Sequence, residues 1–131
     1  MGISDDIVPA DYINDGVYGA FNCIMFDHQV AQPYVLSMGN SFHVATGAPT
    51  LASSVWGPTC DSIDCVSPLV RLPAGLRVGD WLAFDDMGAY TRCAASRFNG
   101  FEVSEVVYTL GAGSAAAETH AALARFAADT A

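Results

Sequence analysis

The stretch SSVWGPTCDSIDCVSPLVRLP, residues 53–73, places a cysteine directly against an aspartate at Cys60-Asp61. A Gly57-Pro58 turn precedes this pair, and a second acidic residue, Asp64, follows it. Glycine and proline are unfavourable inside helices, so the pattern argues against a helix here. The sequence therefore predicts that the thiol and the carboxylate share a loop.

The Cys60-Asp61 pair is compatible with more than one role. A neighbouring carboxylate disfavours the thiolate, which argues against a protease-type nucleophile and favours a proton donor, or a thiolate that another group stabilises. The alternative is a small apolar side chain buried in a loop. A hydrolase that pairs Cys60 with His28 is a weaker hypothesis, because nothing in the spacing demands it. A zinc site is equally weak, because its candidate ligands lack the usual spacing; these are His28, His43, Cys60 and Cys65.

The composition is that of one globular domain. The chain has 131 residues, of which 52% are apolar, and fourteen acidic against five basic residues give a formal net charge of −9. Because no basic stripe can displace counterions from phosphates, this balance argues against a nucleic-acid partner and suits cationic small molecules. All the basic residues are arginines, so the sequence contains no lysine that could anchor an aldehyde cofactor.

The sequence also bears on location. Residues 1–12 lack the basic and apolar regions of a secretory signal, and no run approaches the roughly 18 apolar residues of a membrane helix. The four cysteines have no CxxC spacing, and free thiols are the usual state in an intracellular protein. We therefore expect a cytoplasmic protein without a membrane partner.

Local patterns predict a mainly β domain of about six to eight strands. Strand-forming residues dominate residues 15–28, and a strand end with a loose hairpin fits residues 29–52. Two further strands are predicted at residues 75–84 and 89–98, around a turn at 85–88.

The last third of the chain changes character twice. Asn99-Gly100 is a strong hairpin signal and predicts a return strand over residues 101–110. Beyond it, an Ala-rich stretch with Leu123 and Phe126 at helical spacing predicts a short C-terminal helix. The predicted organisation is an N-terminal extension, a β-sandwich or barrel-like domain and a helical tail, at residues 1–11, 12–113 and 114–131.

Four blocks, taken in order, resemble one known family: DYINDGVYGAFNCIMFDH, SSVWGPTCDSIDC, VGDWLAFDDMGAYT and SRFNGFE. They are similar to the carboxy-terminal β domain of the eukaryotic ornithine decarboxylases, which belong to the fold-type III, pyridoxal-phosphate-dependent decarboxylases of basic amino acids. The similarity runs from about Tyr12 to Tyr108. It implies part of a lyase of polyamine biosynthesis that converts ornithine to putrescine, with its site at a dimer interface.

The resemblance implies a role for several residues. Cys60 would handle the proton at the substrate α-carbon after carbon dioxide leaves, while Asp61 and Asp27, from opposite halves of the site, would bracket the distal ammonium. Asp61 favours ornithine, with arginine and lysine as near alternatives. No metal ligand is implied. The remaining implied roles are pocket lining by Tyr18 and Phe98, a hydrogen bond to the cofactor phosphate by Tyr90, and dimer contacts by Asp64 and Gly88.

The missing lysine conflicts with independent activity. In this family the cofactor lysine, a Gly-rich phosphate loop and a phosphate-binding arginine lie in an N-terminal α/β barrel. The chain is therefore expected to be inactive alone and to need a barrel from the same gene or in trans. It is then an excised domain, half of a split enzyme, or a non-catalytic binding module like the antizyme inhibitors, which would make antizyme a partner. Retention of Cys60, Asp61, Asp27 and Tyr90 favours the enzyme part.

Overall fold

The computed structural model describes residues 8–42 and 47–129. Three 3₁₀ turns, at Ala20–Asn22, Arg92–Ala94 and Phe98–Gly100, accompany the regular elements. The predicted mainly β fold with a C-terminal helix is confirmed, although the described residues form five strands rather than six to eight. The regular elements are β1 (Ala10–Tyr12), α1 (Cys23–Phe26), β2 (Pro33–Ser37), β3 (Thr50–Trp56), β4 (Cys65–Pro73), β5 (Trp81–Phe84) and α2 (Ser114–Asp129).

The strands form two small sheets. In the three-stranded sheet the order is β1-β3-β4, with β1 parallel to β3 and β4 antiparallel to it. The second sheet is the antiparallel pair β2-β5. Because β3 and β4 are paired from Thr50 opposite Pro73 to Trp56 opposite Cys65, the connecting residues 57–64 lie at the tip of a long ribbon.

The core joins the ribbon to the rest of the domain. Val55 of β3 and Leu72 of β4 are almost completely buried, and they cluster with Phe21, Ala31 and Val66. The ring of Phe21 meets that of Phe84 edge to face, with 4.7 Å between the centroids. Burial of these apolar side chains, rather than strand propensity alone, stabilises the two sheets against each other.

The strand predicted over residues 15–28 is wrong. This segment instead forms a 3₁₀ turn followed by the four-residue α1. The Asp15 carboxylate explains the difference, because its Oδ1 accepts hydrogen bonds from the amides of Gly16 and Ala20, at 2.8 and 3.0 Å. A side chain that satisfies the first amides of a helical turn stabilises that turn over an extended strand.

The strand predicted over residues 89–98 is also wrong. Tyr90 has a left-handed φ of 50°, and Arg92–Ala94 is a 3₁₀ turn. The buried Thr91 closes the preceding turn by donating its hydroxyl to the Met87 carbonyl at 2.9 Å. A left-handed residue and a side-chain-closed turn are both incompatible with a continuous strand.

The hairpin predicted at Asn99-Gly100 is only half right. Both residues are left-handed, with φ of 60° and 81°, as a tight hairpin turn requires. Residues 101–110, however, form no strand, and no strand of the described ranges lies alongside them to complete a ladder.

The predicted ends of the domain need one correction. The boundary placed after residue 11 is too late, because Ala10 and Asp11 belong to β1 and the Pro9 carbonyl accepts a hydrogen bond from the Ser54 amide at 2.8 Å. The predicted C-terminal helix is confirmed over Ser114–Asp129. Residues 1–7, His43 with its neighbours 44–46, and residues 130–131 lie outside the described residues. None of the described helices has the length and hydropathy needed to cross a bilayer.

Candidate functional site

The loop at the tip of the β3-β4 ribbon, residues 57–64, carries the Cys60-Asp61 pair and is called the Cys-Asp loop below. The Gly57 amide donates to the Asp64 carbonyl at 2.8 Å and closes the loop at its base. Inside it, the Asp64 amide donates to the Asp61 carbonyl at 3.0 Å. The predicted loop placement of the thiol and the carboxylate is therefore confirmed.

Asp64 is the centre of this loop, and its side chain is completely buried. Its Oδ1 accepts a hydrogen bond from the Val17 amide at 2.9 Å. Its Oδ2 accepts two, from the amide and the hydroxyl of Thr59, at 3.0 and 2.7 Å. Gly16 and Gly57 make room for the carboxylate, since a Cβ at either position would clash with it. The buried carboxylate therefore joins the loop to the segment that begins at residue 16.

The expected interface role of Asp64 stays a prediction. No part of the side chain is exposed, and both carboxylate oxygens already accept hydrogen bonds from this same chain.

The Asp61 carboxylate is held in place by two hydrogen bonds. Its Oδ2 accepts a hydrogen bond from the Tyr18 hydroxyl at 2.5 Å, and its Oδ1 accepts one from the Ile63 amide at 3.1 Å. The Tyr18 hydrogen bond, followed by the Ile63 amide, lowers the pKa of Asp61 below its ordinary value. The same hydrogen bond raises the pKa of Tyr18. Asp61 is thus an ionised, half-buried carboxylate at neutral pH, and Cys60 beside it is exposed.

Phe98 lies against Tyr18. Its ring stacks on that of Tyr18 with 4.0 Å between centroids and 24° between planes. Ser96 holds the two together, because its amide and its hydroxyl both donate to the Tyr18 carbonyl, at 2.8 and 3.0 Å. Tyr18 therefore connects Asp61 on one side to the aromatic wall on the other.

An open depression adjoins the Tyr18-Phe98 stack, and its lining includes the carboxylates of Asp15 and Glu102. Glu102 forms an exposed ion pair with Arg97 at 3.0 Å, so its charge is balanced, and Asp15 and Asp64 carry the remaining negative charge of the lining. An acidic, aromatic surface of this kind attracts cationic ligands and repels anionic ones.

No hydrogen bond among the described residues links Tyr90 or Asp27 to Asp61. The buried Asn22 side chain donates to the Thr91 carbonyl at 2.5 Å and so fixes the turn that presents Tyr90, whose side chain is exposed. Asp27 follows α1, with its amide donating to the Cys23 carbonyl at 2.9 Å, and is exposed. Gly88 has open space around it, so its interface role stays a prediction.

The described structure does not support the zinc site, the hydrolase that pairs Cys60 with His28, or a buried Cys60. In the described part of the chain, no three His, Cys, Asp or Glu side chains lie close enough together to hold a metal ion. His28 is exposed at a left-handed φ of 55°, and no hydrogen bond among the described residues links it to Cys60. Cys60 is exposed, so it is not the small buried side chain that the alternative interpretation expected.

Three positioning residues were missed by sequence reasoning: Thr59, Asn22 and Ser96. A polar residue within the apolar run AFNCIMF was a usable signal for Asn22, because a buried amide needs specific partners. Thr59 and Ser96 gave no such signal, since serine and threonine are common in exposed loops.

Comparison with known proteins gives one family and several relatives. Residues 7–88 match the family described as "Pyridoxal-dependent decarboxylase, C-terminal sheet domain". Ornithine decarboxylase of Schizosaccharomyces pombe is 50% identical over 99 residues, which are 74% of this chain and 23% of the relative. Antizyme inhibitor 2 of Xenopus laevis is 48% identical over 99 residues, covering 76% and 20%.

Solved structures point the same way. Lysine/ornithine decarboxylase of Vibrio vulnificus, complexed with cadaverine, superposes with a TM-score of 0.69 at 30% identity, over 85% of this chain and 28% of that one. The chain thus spans about a quarter of the length of the curated relatives it matches.

Proposed function

Since the chain belongs to the pyridoxal-dependent decarboxylases, as their C-terminal sheet domain, we propose that it supplies the thiol and carboxylate half of an ornithine decarboxylase site. The observation that carries this proposal is the geometry of the Cys-Asp loop. An exposed thiol adjoins a carboxylate whose two oxygens already accept hydrogen bonds from Tyr18 and Ile63.

Each side chain has a task that its surroundings support. Asp61 binds the distal ammonium of the substrate, because a low pKa keeps it charged and Tyr18 fixes its direction. Phe98 and Tyr18 form the apolar wall along the methylene chain. Cys60, one residue away from Asp61, returns the proton to the α-carbon at the other end of the substrate. Asp27 contributes the second carboxylate from the other subunit.

The cofactor fits this chain only in part. The exposed Tyr90 offers a hydroxyl to a phosphate from a turn that Asn22 and Thr91 hold in place. The sequence has no lysine, so these residues cannot anchor the aldehyde, and the anchor lies outside them. When bound, pyridoxal phosphate takes up the electron pair that the departing carboxylate leaves. The chain's own residues bind and orient the substrate and move one proton.

The substrate class follows from the charge of the site. Two carboxylates, Asp61 and the second one from Asp27, together with an aromatic wall suit an amino acid whose side chain ends in an ammonium group, and ornithine is the proposed substrate. The acidic depression near Tyr18 and the net charge of −9 add a field that attracts such a cation. Lysine and arginine are longer alternatives at the same site.

The experiment combines the chain with a lysine-bearing barrel domain of a related ornithine decarboxylase and pyridoxal phosphate. We expect release of carbon dioxide from ornithine by the mixture and none by either part alone. Cys60→Ala should lower turnover by about a hundredfold, since general acid catalysis contributes roughly 10²–10⁴. Cys93→Ala is the matched control, because Cys93 is also exposed but lies outside the loop. Equal activity of the Cys60 and Cys93 variants would remove Cys60 from the mechanism.

A second candidate function is a non-catalytic binding module that regulates polyamine synthesis through antizyme. The identity of 48% to antizyme inhibitor 2 supports it. The two functions separate in one assay. Binding of antizyme by the chain, without any turnover when a competent barrel is added, favours the module, and turnover favours the enzyme part.

We also propose a homo-oligomer that works in the cytoplasm together with an N-terminal barrel. The described domain leaves large apolar side chains exposed, including Val107 and Tyr108 at 84% and 92%, and its four cysteines are free. Sedimentation of the 131-residue chain should show self-association at micromolar concentration. A strictly monomeric chain would contradict this part of the proposal.

A further inference from the structure

The hydroxyl of Thr59 occupies a central place in the Cys-Asp loop. It donates a hydrogen bond to Oδ2 of the buried Asp64 at 2.7 Å, and it accepts one from the Asp61 amide at 3.3 Å. Thr59 itself is 9% exposed, so water does not replace these bonds readily. The hydroxyl therefore links the buried Asp64 carboxylate to the backbone of Asp61.

We propose that Thr59 is the positioning residue of the site. Its hydroxyl is held by the buried Asp64 and in turn holds the backbone of Asp61 in place. The inference rests on the proposed function for its kinetic consequences, but its structural part does not. In this role Thr59 acts through Asp61 rather than on the substrate or the cofactor.

Hydrogen-bond accounting supports this role. Removal of the hydroxyl leaves Asp64 with one donor fewer and leaves the Asp61 amide without its acceptor. The Thr59 amide still donates to Asp64, so the base of the loop keeps its anchor. The expected result is therefore a loosened Asp61 within a loop that remains folded.

The first test measures amide hydrogen exchange in the full 131-residue chain. Thr59→Val replaces the hydroxyl by a methyl of similar volume, and exchange at the Asp61 amide should become about tenfold faster. The Ile13 amide, which donates to the Trp56 carbonyl at 2.9 Å, reports global stability and should stay within twofold. Thr59→Ser, which keeps the hydroxyl, should restore slow exchange at Asp61.

A matched control checks that the effect belongs to this threonine. Thr50→Val removes the hydroxyl that accepts from Arg71 at 3.1 Å at the exposed start of β3. It should leave exchange at Asp61 unchanged. If Thr59→Val does not fold, Thr59→Ala is compared with Thr59→Ser in the same way.

The second test uses the chain complemented with a barrel domain and pyridoxal phosphate. Thr59→Val should raise KM for ornithine about tenfold and change kcat less, because Asp61 reads the distal ammonium. If the wild-type mixture shows no turnover, the proposed function fails while the exchange experiment still decides the role of Thr59.

Three results would overturn the proposal. One is equal acceleration of the Asp61 and Ile13 amides in Thr59→Val, which indicates a general loss of stability. Another is a serine variant that behaves like the valine variant. The third is a fall in kcat with KM unchanged, because the hydroxyl would then act on the proton transfer rather than on Asp61.

Discussion

Two regions of this molecule have similar strand-forming sequences, but only one of them forms a strand. β4, residues 65–73, pairs with β3 along its length and buries Val66 and Leu72. Residues 101–110 are equally rich in strand formers, but they form no ladder in the described structure and leave Val107 and Tyr108 exposed. They end the part of the chain that is called the carboxy-terminal segment below, residues 88–110. Strand propensity thus becomes a strand only where a partner strand and a buried face are available.

The difference also explains how the site is built. The Cys-Asp loop is fixed because it closes the β3-β4 ribbon and surrounds the buried Asp64. Near the Tyr18-Phe98 stack the carboxy-terminal segment is held by exposed residues: Ser96, Phe98 and Ser104, whose hydroxyl donates to Asp15 at 3.0 Å. The site therefore has one rigid side and one weakly held side.

The largest expected effect contrasts the two regions directly. Leu72→Ala should lower the free energy of unfolding by about 3 kcal/mol, because it opens a cavity at a residue that is 2% exposed. Val107→Ala should change it by less than about 0.5 kcal/mol. Urea unfolding of the two variants of the 131-residue chain measures both values. Similar losses would mean that residues 101–110 are packed in solution.

Gly57 and Gly88 also differ in how tightly their surroundings are packed. Gly57→Ala should destabilise the chain by about 2 kcal/mol, because the added Cβ would overlap the Asp64 carboxylate. Gly88→Ala, in the carboxy-terminal segment, meets no heavy atom within 4 Å and should be nearly neutral for folding. The midpoints of thermal unfolding of the two variants test this. A tolerated alanine at position 57 would contradict the tight packing around Asp64.

Much of the site was predictable from the sequence because its residues lie in specific short blocks. The pairing of Asp61 with Tyr18, and of Tyr18 with Phe98, joins three such blocks, and the resemblance had already assigned all three residues to one pocket. The buried state of Asp64 was not predictable, because a solvent-facing ion pair and an internal acceptor look the same in sequence. Only the two glycines that make room for it distinguish the cases.

The fold was predictable in class but not in every element. Residues 15–28 have strand-like composition, but the Asp15 side chain accepts hydrogen bonds from the Gly16 and Ala20 amides and so stabilises a turn that leads into the helical segment. Asn99-Gly100 does form a left-handed turn, but the return strand fails for lack of a partner strand in the described structure. Such outcomes depend on tertiary contacts that a local pattern does not contain.

The hydrogen bond from Tyr18 to Asp61 gives a pH-dependent test of how the rigid side is set. Tyr18→Phe keeps the stack on Phe98 but removes the donor, so the pKa of Asp61 should rise toward the ordinary carboxyl value of about 3.9 while the Ile63 amide still holds it lower. An NMR titration of the Asp61 carboxyl carbon in both chains measures the shift. An unchanged pKa would show that the hydrogen bond does not persist in solution.

The same substitution has a defined effect on stability. A lowered pKa in the folded state contributes stability above the unfolded carboxyl value of about 3.9, and this contribution is lost as the pH falls through the folded value. The wild-type chain should therefore unfold at a higher temperature than Tyr18→Phe at pH 6, and the difference should shrink below about pH 4. A difference that stays constant with pH would assign it to packing rather than to Asp61.

The smallest expected effect concerns the weakly held side. Ser96→Ala removes the hydroxyl bond to the Tyr18 carbonyl, but the Ser96 amide still donates to the same oxygen at 2.8 Å. The hydroxyl also accepts a hydrogen bond from the Phe98 amide at 3.3 Å, and the loss of these two exposed hydrogen bonds should cost about 1 kcal/mol of unfolding free energy. The more informative measurement is amide exchange in residues 96–100, which should accelerate while exchange in the Cys-Asp loop stays as it was. If exchange accelerates in both regions, Tyr18 couples them into one cooperative unit, and the division into a rigid and a weakly held side is wrong. The Tyr18-Phe98 stack would then move together with the loop that carries Cys60.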